Sequence, residues 1–427
     1  MQIFRTLIIF LMSFNIAQSI NFKELNSGGL NFWFVEDNSI PIISLSFTFE
    51  GGSSLDPNGK EGLINLMTSL MDEGTNKYDS KEIKQLMKSN GIKFNLKTSK
   101  NRVDGTFQVI SSQRNEGFKL LAEIINEPSF KNDEIEKVKA QLKSSIKIDN
   151  SDISTIANKK FDEIFFKNHN FSRNIKGTVK SIEKISREDL KKFHKKIFNT
   201  NSLYIGVAGD ISEKEINKYL SIVFGSLSSS KLTNFQKFKK LPIGKKVENI
   251  ETPQSSVVFG HPGISRNNKD YFSFRIANYV LGGGGFQSRL YKEIREKKGL
   301  VYSIYSYPMS YKHDGVMIGG FQTQNDTVNI TIENVKKEWS KMAKRGISKK
   351  ELDEAKAYYK GSFTRNFTST LSIASLLNTI QFYNLGKDYF DRRDEIIDKL
   401  NLKKVNKMIF ENFDSEKLFF LVVGKPK

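Results

Sequence analysis

A chain of 427 residues, 38% of them hydrophobic and 27% charged, is long enough for two or more domains that each bury a core. The absence of cysteine excludes disulfides, thiolate metal sites and a lipid anchor on an N-terminal cysteine. The net charge of +20 comes from lysines spread over helix faces, such as Lys191, Lys192, Lys195 and Lys196, with no interleaved aromatic motif, so nucleic acid is not an expected partner.

In chain order, residues 1–19 carry one cation, Arg5, an apolar run from Leu7 to Ile16, and the small-residue ending Ala17-Gln18-Ser19. This pattern predicts a cleaved signal peptide, and export of a cysteine-free chain predicts a bacterial periplasm. The apolar run is too short to span a bilayer, and no later stretch reaches the length of a membrane helix, so no membrane anchor is expected. Apolar runs from Leu30 to Val35 and from Ile40 to Phe49 predict strands, and Asp79-Ser80-Lys81-Glu82 predicts a capped helix start.

The amphipathic segment 133–145 then recurs without a gap at 350–362. Ile197-Phe198 and a strand from Leu203 to Gly209 recur as Ile409-Phe410 and a strand from Leu418 to Gly424. The offset of about 215 residues is the size of a domain, so the expectation is two homologous α+β domains in tandem, each a mainly antiparallel sheet covered by helices. The predicted domains are 20–230 and 247–427, joined through a Ser-, Lys- and Gly-rich linker at 231–246.

The stretch Gly62-Leu-Ile-Asn-Leu-Met-Thr-Ser-Leu-Met-Asp-Glu-Gly-Thr75 resembles the insulinase/pitrilysin zinc-peptidase signature G-L-A-H-F-L-E-H-M-x-F-x-G-T. In that family two histidines on one helix face bind zinc, and the glutamate between them activates the metal-bound water. Here the corresponding positions hold Asn65, Thr68 and Ser69, and the family's third ligand, a glutamate on a later helix, falls on Ser145. An amide and hydroxyls are poor zinc ligands and cannot act as a general base near neutral pH, so this chain is expected to bind no metal. The adjacent Asp72 and Glu73 point in different directions on a helix and do not form a carboxylate pair. His169, His194, His261 and His313 are dispersed and suit structural or surface roles.

In the second half, Leu281-Gly-Gly-Gly-Gly-Phe-Gln-Ser-Arg-Leu-Tyr-Lys-Glu-Ile-Arg-Glu-Lys-Lys-Gly-Leu-Val-Tyr302 is similar to the family's second signature. There an arginine and a tyrosine seven residues apart face the metal site from the opposite lobe, and the matching residues are Arg295 and Tyr302. The reading places Arg295 in the last turn of a helix, Gly299 at a reversal and Tyr302 early in the next strand. Gly282 to Gly285 lack the endings of a P-loop or dinucleotide fingerprint and are expected to form a flexible loop.

The resemblance implies one half of a clamshell peptidase. A partner chain, a homologue carrying H-x-x-E-H and the zinc, would complete it as a heterodimer or heterotetramer. Tyr302 would donate to the scissile carbonyl and Arg295 would bind a neighbouring peptide carbonyl. Substrates would be unfolded peptides added as a strand to a sheet edge. The alternative implied by silent family relatives is a scaffold or peptide-holding protein of the same fold.

Overall fold

In the computed structural model, residues 22–230 and 236–427 are described, so the expected signal peptide at 1–19 lies outside the described residues. The first half forms a sheet from β1 (Lys23–Ser27), β2 (Leu30–Glu36), β3 (Ile42–Glu50), β4 (Lys93–Thr98), β5 (Arg102–Ile110) and β6 (Leu203–Gly209). Its strand order is β1-β2-β6-β3-β5-β4. The second sheet contains β7 (Gly244–Asn249), β8 (Gln254–Pro262), β9 (Ile304–Ser310), β10 (Gly315–Gln324) and β11 (Phe419–Gly424), in the order β7-β11-β8-β10-β9.

Each sheet has one parallel pair, β2 with β6 and β7 with β11, and is otherwise antiparallel. From that parallel pair outward the two sheets have the same topology, as the tandem repeat predicts, with β1 added at the edge of the first. Strand β7 begins at Gly244, inside the segment expected to be linker.

Alternation explains how each sheet is covered. In β3 the side chains of Ile43, Leu45, Phe47 and Phe49 enter the first half's main core, while Ser44, Ser46 and Thr48 face the other way and are also buried. The element covering those hydroxyls is helix Thr370–Phe382, which comes from the second half of the chain. Ser44 Oγ pairs with Thr370 Oγ1 at 2.7 Å, and Thr48 Oγ1 donates to Asn378 Oδ1 at 3.0 Å. Asn378 Nδ2 in turn donates to Ser46 O at 2.8 Å and Tyr204 O at 3.1 Å.

The reciprocal contact is made by helix Ile153–Phe165 of the first half. Its Ala157, Phe161 and Phe165 pack on Val258, Val316, Ile318, Phe419, Leu421 and Val423 of the second sheet. Each half therefore lends one helix to the other's sheet, and burial of both patches holds the halves together.

The described part of the expected linker is also tied down near its start. Phe238 packs edge-on against His169, Phe171 and Tyr311, its N–H donates to Asp314 Oδ2 at 2.7 Å, and His169 Nε2 bonds Gln236 O at 2.9 Å.

The helix carrying the first signature, Leu63–Leu70, is capped from a distance. Asp56 accepts from Gly62 N at 2.8 Å and from Ile64 N at 3.0 Å. Gly62 has φ +92° and a Cβ there would stand 2.5 Å from Lys176 O, so both conformation and space call for glycine.

Burial pushes the Asp56 carboxyl up to about 7, against hydrogen bonds that act to lower it. Between the ordinary value of 3.8 and about 7 the folded chain holds a proton that the unfolded chain releases. This group's contribution to stability is therefore complete at the acidic end and is lost as pH rises toward neutrality, by on the order of 3 kcal/mol. Urea unfolding at about pH 5 and about pH 8 should show that decline in the wild type and a flatter profile in Asp56→Asn. Equal slopes would refute the assignment.

Candidate functional site

On helix Leu63–Leu70, of the positions at the core of the first signature, Thr68 is buried, Asn65 half-buried and Ser69 exposed. Thr68 Oγ1 donates to Asn65 O at 3.0 Å and pairs with Thr98 Oγ1 at 2.8 Å, and Ser69 Oγ donates to Asn65 O at 2.9 Å. Ser145 lies on helix Asn132–Asp149, where its Oγ accepts from Lys176 Nζ at 2.8 Å. The same ammonium meets Asp149 Oδ2 at 3.0 Å, and Lys159 Nζ reaches that carboxylate at 3.3 Å. These salt bridges outweigh the upward push of burial and hold the Asp149 carboxyl below its ordinary value.

Asn65, Thr68 and Ser69 line a cavity of about 540 Å³ together with Lys97, Asp149, Asn158, Lys159, Asp162 and Lys176, and Ser145 joins it through Lys176. The structure thus brings the four predicted vacant positions to one place. They do not fit zinc. The hydroxyls at Thr68 and Ser69 are engaged with the helix backbone, and an ammonium stands against the third ligand position where a metal cation would be needed. No group of three or more His, Cys, Asp or Glu suited to a metal occurs among the described residues.

The remaining candidates resolve differently. Glu73 is engaged by Ser80, Lys84 and Lys137, which outweigh the effect of its burial and hold its carboxyl at about 2. Three histidines are buried and bonded to main-chain carbonyls: His169 to Gln236, His194 to Ile125 and His261 to Asp414. His313 is exposed.

The Arg295/Tyr302 segment departs from the expected local structure at two points. The glycine run is not a loop: Tyr279–Gly283 continues the preceding helix with π-type hydrogen bonding. A Cβ on Gly282 would stand 2.4 Å from Ser306 Oγ and one on Gly283 2.5 Å from Asn278 Nδ2, so the glycines let this helix end lie directly on β9. Tyr302 is not in the strand either, because β9 starts at Ile304.

Arg295 does sit in the last turn of a helix, the π-helical Tyr291–Glu296, with its guanidinium 4.9 Å from the Tyr291 ring centre. Gly299, at φ +62°, then reverses the chain. Tyr302 is 88% exposed, the most exposed of the large hydrophobic side chains among the described residues. Neither Arg295 nor Tyr302 lines the cavity at Asn65.

Sequence reasoning missed Lys176 and Lys159. Lys176 is 31 residues from Ser145 in sequence, with no periodic link between them. The one usable signal was Asp149, a turn beyond Ser145 on the same helix.

Family-level comparison matches residues 34–179 to "Insulinase (Peptidase family M16)" and residues 184–359 to "Peptidase M16 inactive domain". A Helicobacter pylori protein named "Non-peptidase homolog YmxG" is 29% identical over 419 residues, covering 96% of this chain and 95% of that protein. A crystal structure of a peptidase M16 inactive domain from Pseudomonas fluorescens superposes with a TM-score of 0.90 at 26% identity, covering 95% of this chain and 98% of that one. A protease structure from Helicobacter pylori superposes at 0.85 with 19% identity over 95% and 99% of the two chains, which is a likeness of fold. With the signature positions, the duplicated sheets and these matches in agreement, the chain belongs to the insulinase family, peptidase family M16.

Proposed function

We propose that this chain is the non-catalytic, substrate-binding subunit of a two-chain zinc metalloendopeptidase, supplying Arg295 and Tyr302 to the zinc site of a homologous H-x-x-E-H partner. The observation that carries this reading is a contrast between the two signatures. Thr68, Ser69 and Ser145 spend their hydroxyls on partners within the chain, whereas Tyr302 stands 88% exposed with its hydroxyl free of protein partners among the described residues.

Exposed Tyr302, and Arg295 stacked on the Tyr291 ring that also packs against Phe286, itself 68% exposed, offer a surface that another chain can complete. The name of the Helicobacter pylori relative, a non-peptidase homologue, supports the loss of independent activity. The substrate would be an unfolded peptide. Edge strand β4, paired only with β5 among the described strands, offers main-chain groups beside the vacated cavity for strand addition.

The test is reconstitution: a zinc-site homologue and this chain, each assayed alone and mixed, against an unfolded peptide. Cleavage that needs the mixture supports the reading, and full cleavage by this chain alone refutes it. The N-terminal segment supports export to the periplasm. Sequencing the mature N-terminus tests this: a start at Ile20 is expected, and a retained Met1 would contradict it.

A further inference from the structure

We infer that the cavity left at the vacated metal centre binds a carboxylate group of an extended peptide, either an acidic side chain or the chain's C-terminus. This concerns binding by the chain alone and does not rest on its pairing with a zinc subunit.

The cavity is positively charged. One carboxylate in the cavity, Asp149, is shared by two ammoniums, Lys176 at 3.0 Å and Lys159 at 3.3 Å. The other, Asp162, is matched by Lys100 at 2.7 Å. Lys97, exposed on edge strand β4, has no carboxylate partner among the described residues. Three lysines and two aspartates line the cavity, and because Lys100, outside the lining, neutralises Asp162, a positive surplus of two remains. Clefts focus such a surplus and attract an anion.

The cavity also holds unused hydrogen-bonding capacity. Lys176 donates to Ser145, a neutral partner where the family's signature calls for a glutamate, and to both oxygens of Asp149, a carboxylate it shares with Lys159, so its charge is only partly compensated. The side-chain amide of Asn65 lines the same cavity and makes no hydrogen bond among the described residues, which leaves its N–H groups free for an acceptor. A carboxylate accepts from both kinds of donor, and charge-assisted bonds of this sort are the stronger ones.

The free edge of β4 selects a peptide as the carrier of that carboxylate. Leu96, Lys97 and Thr98 of β4 form one wall, and the outer side of β4 has no neighbouring strand among the described residues. An extended chain added along that edge passes the cavity mouth, and the anionic group a peptide carries is a carboxylate.

Isothermal titration calorimetry on the mature chain, with three short extended peptides of otherwise equal sequence, tests the inference. One carries an internal Glu and an amidated C-terminus, the second Gln and a free C-terminus, the third Gln and an amidated C-terminus. At least one of the first two should bind about tenfold more tightly than the third, the loss of one charge-assisted bond being of that size. The arm that does so names the source.

Lys176→Gln should reduce that peptide to the level of the neutral one, with unfolding measured in parallel to verify an intact fold. Asp149→Asn releases both ammoniums and should strengthen binding severalfold, an increase that a merely structural Asp149 would not produce. Equal binding of the three peptides, or weaker binding of the acidic peptide by Asp149→Asn, would overturn the inference.

Discussion

In the proposed two-chain peptidase, Tyr302→Phe is expected to lower kcat by roughly 100- to 1,000-fold, the range found when one oxyanion donor is removed. The substitution deletes a single hydroxyl from a side chain that is 88% exposed, so it removes no packing and should leave stability and subunit assembly unchanged. The hydroxyl would bond the scissile carbonyl oxygen most strongly once that oxygen carries negative charge. The loss should therefore appear in kcat with little change in KM.

Arg295 should behave differently. In the proposed assembly its guanidinium would hold a neighbouring peptide carbonyl before and during reaction, so Arg295→Ala is expected to raise KM as well as lower kcat/KM. Arg295→Lys should not restore it, because a lysine lacks both the planar fork and the stacking that places Arg295 on the Tyr291 ring. If both variants retain full rates, the scaffold reading of the family fold becomes the better one.

The largest expected effect on stability is at the crossing of the two halves. A Cβ on Gly206 would lie 2.1 Å from Ala374 O and 2.8 Å from Asn378 N, both main-chain atoms of helix Thr370–Phe382. Neither can rotate away, so the helix itself must lift from β6, breaking the Asn378 bonds to Ser46 O and Tyr204 O. Gly206→Val should cost about 3 kcal/mol or more by urea unfolding at constant m value.

The reciprocal site is Gly260 on β8, where a Cβ would meet the Phe161 and Phe165 rings at 2.6 Å. Those are side chains that can shift, so Gly260→Ala should cost less, about 1–2 kcal/mol. Equal stability of wild type and Gly206→Val would contradict the close helix-on-strand packing.

These two glycines also mark where the sequence could and could not be read. The bounds of β6, the Asp79/Glu82 capping box and the repeated helix 133–145 are local signals, and the structure has them as expected. The exchange of helices between halves is a long-range fact. Ser44, Ser46 and Thr48 in β3 look like the solvent face of an alternating strand, yet they are buried under a helix more than 300 residues away.

The candidate site divides the same way. The vacant positions were legible because a helical signature keeps its spacing when its chemical residues change, and Asn65, Thr68 and Ser69 do share one wall. Lys176 was invisible because only tertiary folding brings it to Ser145. The glycine run misled because π-helical hydrogen bonding leaves no periodic mark over so few residues, and its tight contact with Ser306 is again a tertiary matter.

The central claim, that this chain contributes Arg295 and Tyr302 to a metal site it does not itself possess, is tested most directly by titration. A fixed amount of a zinc-site homologue is titrated with wild-type chain and, separately, with Tyr302→Phe, following both peptide cleavage and complex formation. The wild type should raise cleavage to a plateau at equal stoichiometry, and Tyr302→Phe should bind with the same stoichiometry while leaving cleavage roughly 100-fold or more below that plateau. Cleavage by the zinc-site chain that is unaffected by either addition, or fully restored by the variant, would contradict the account.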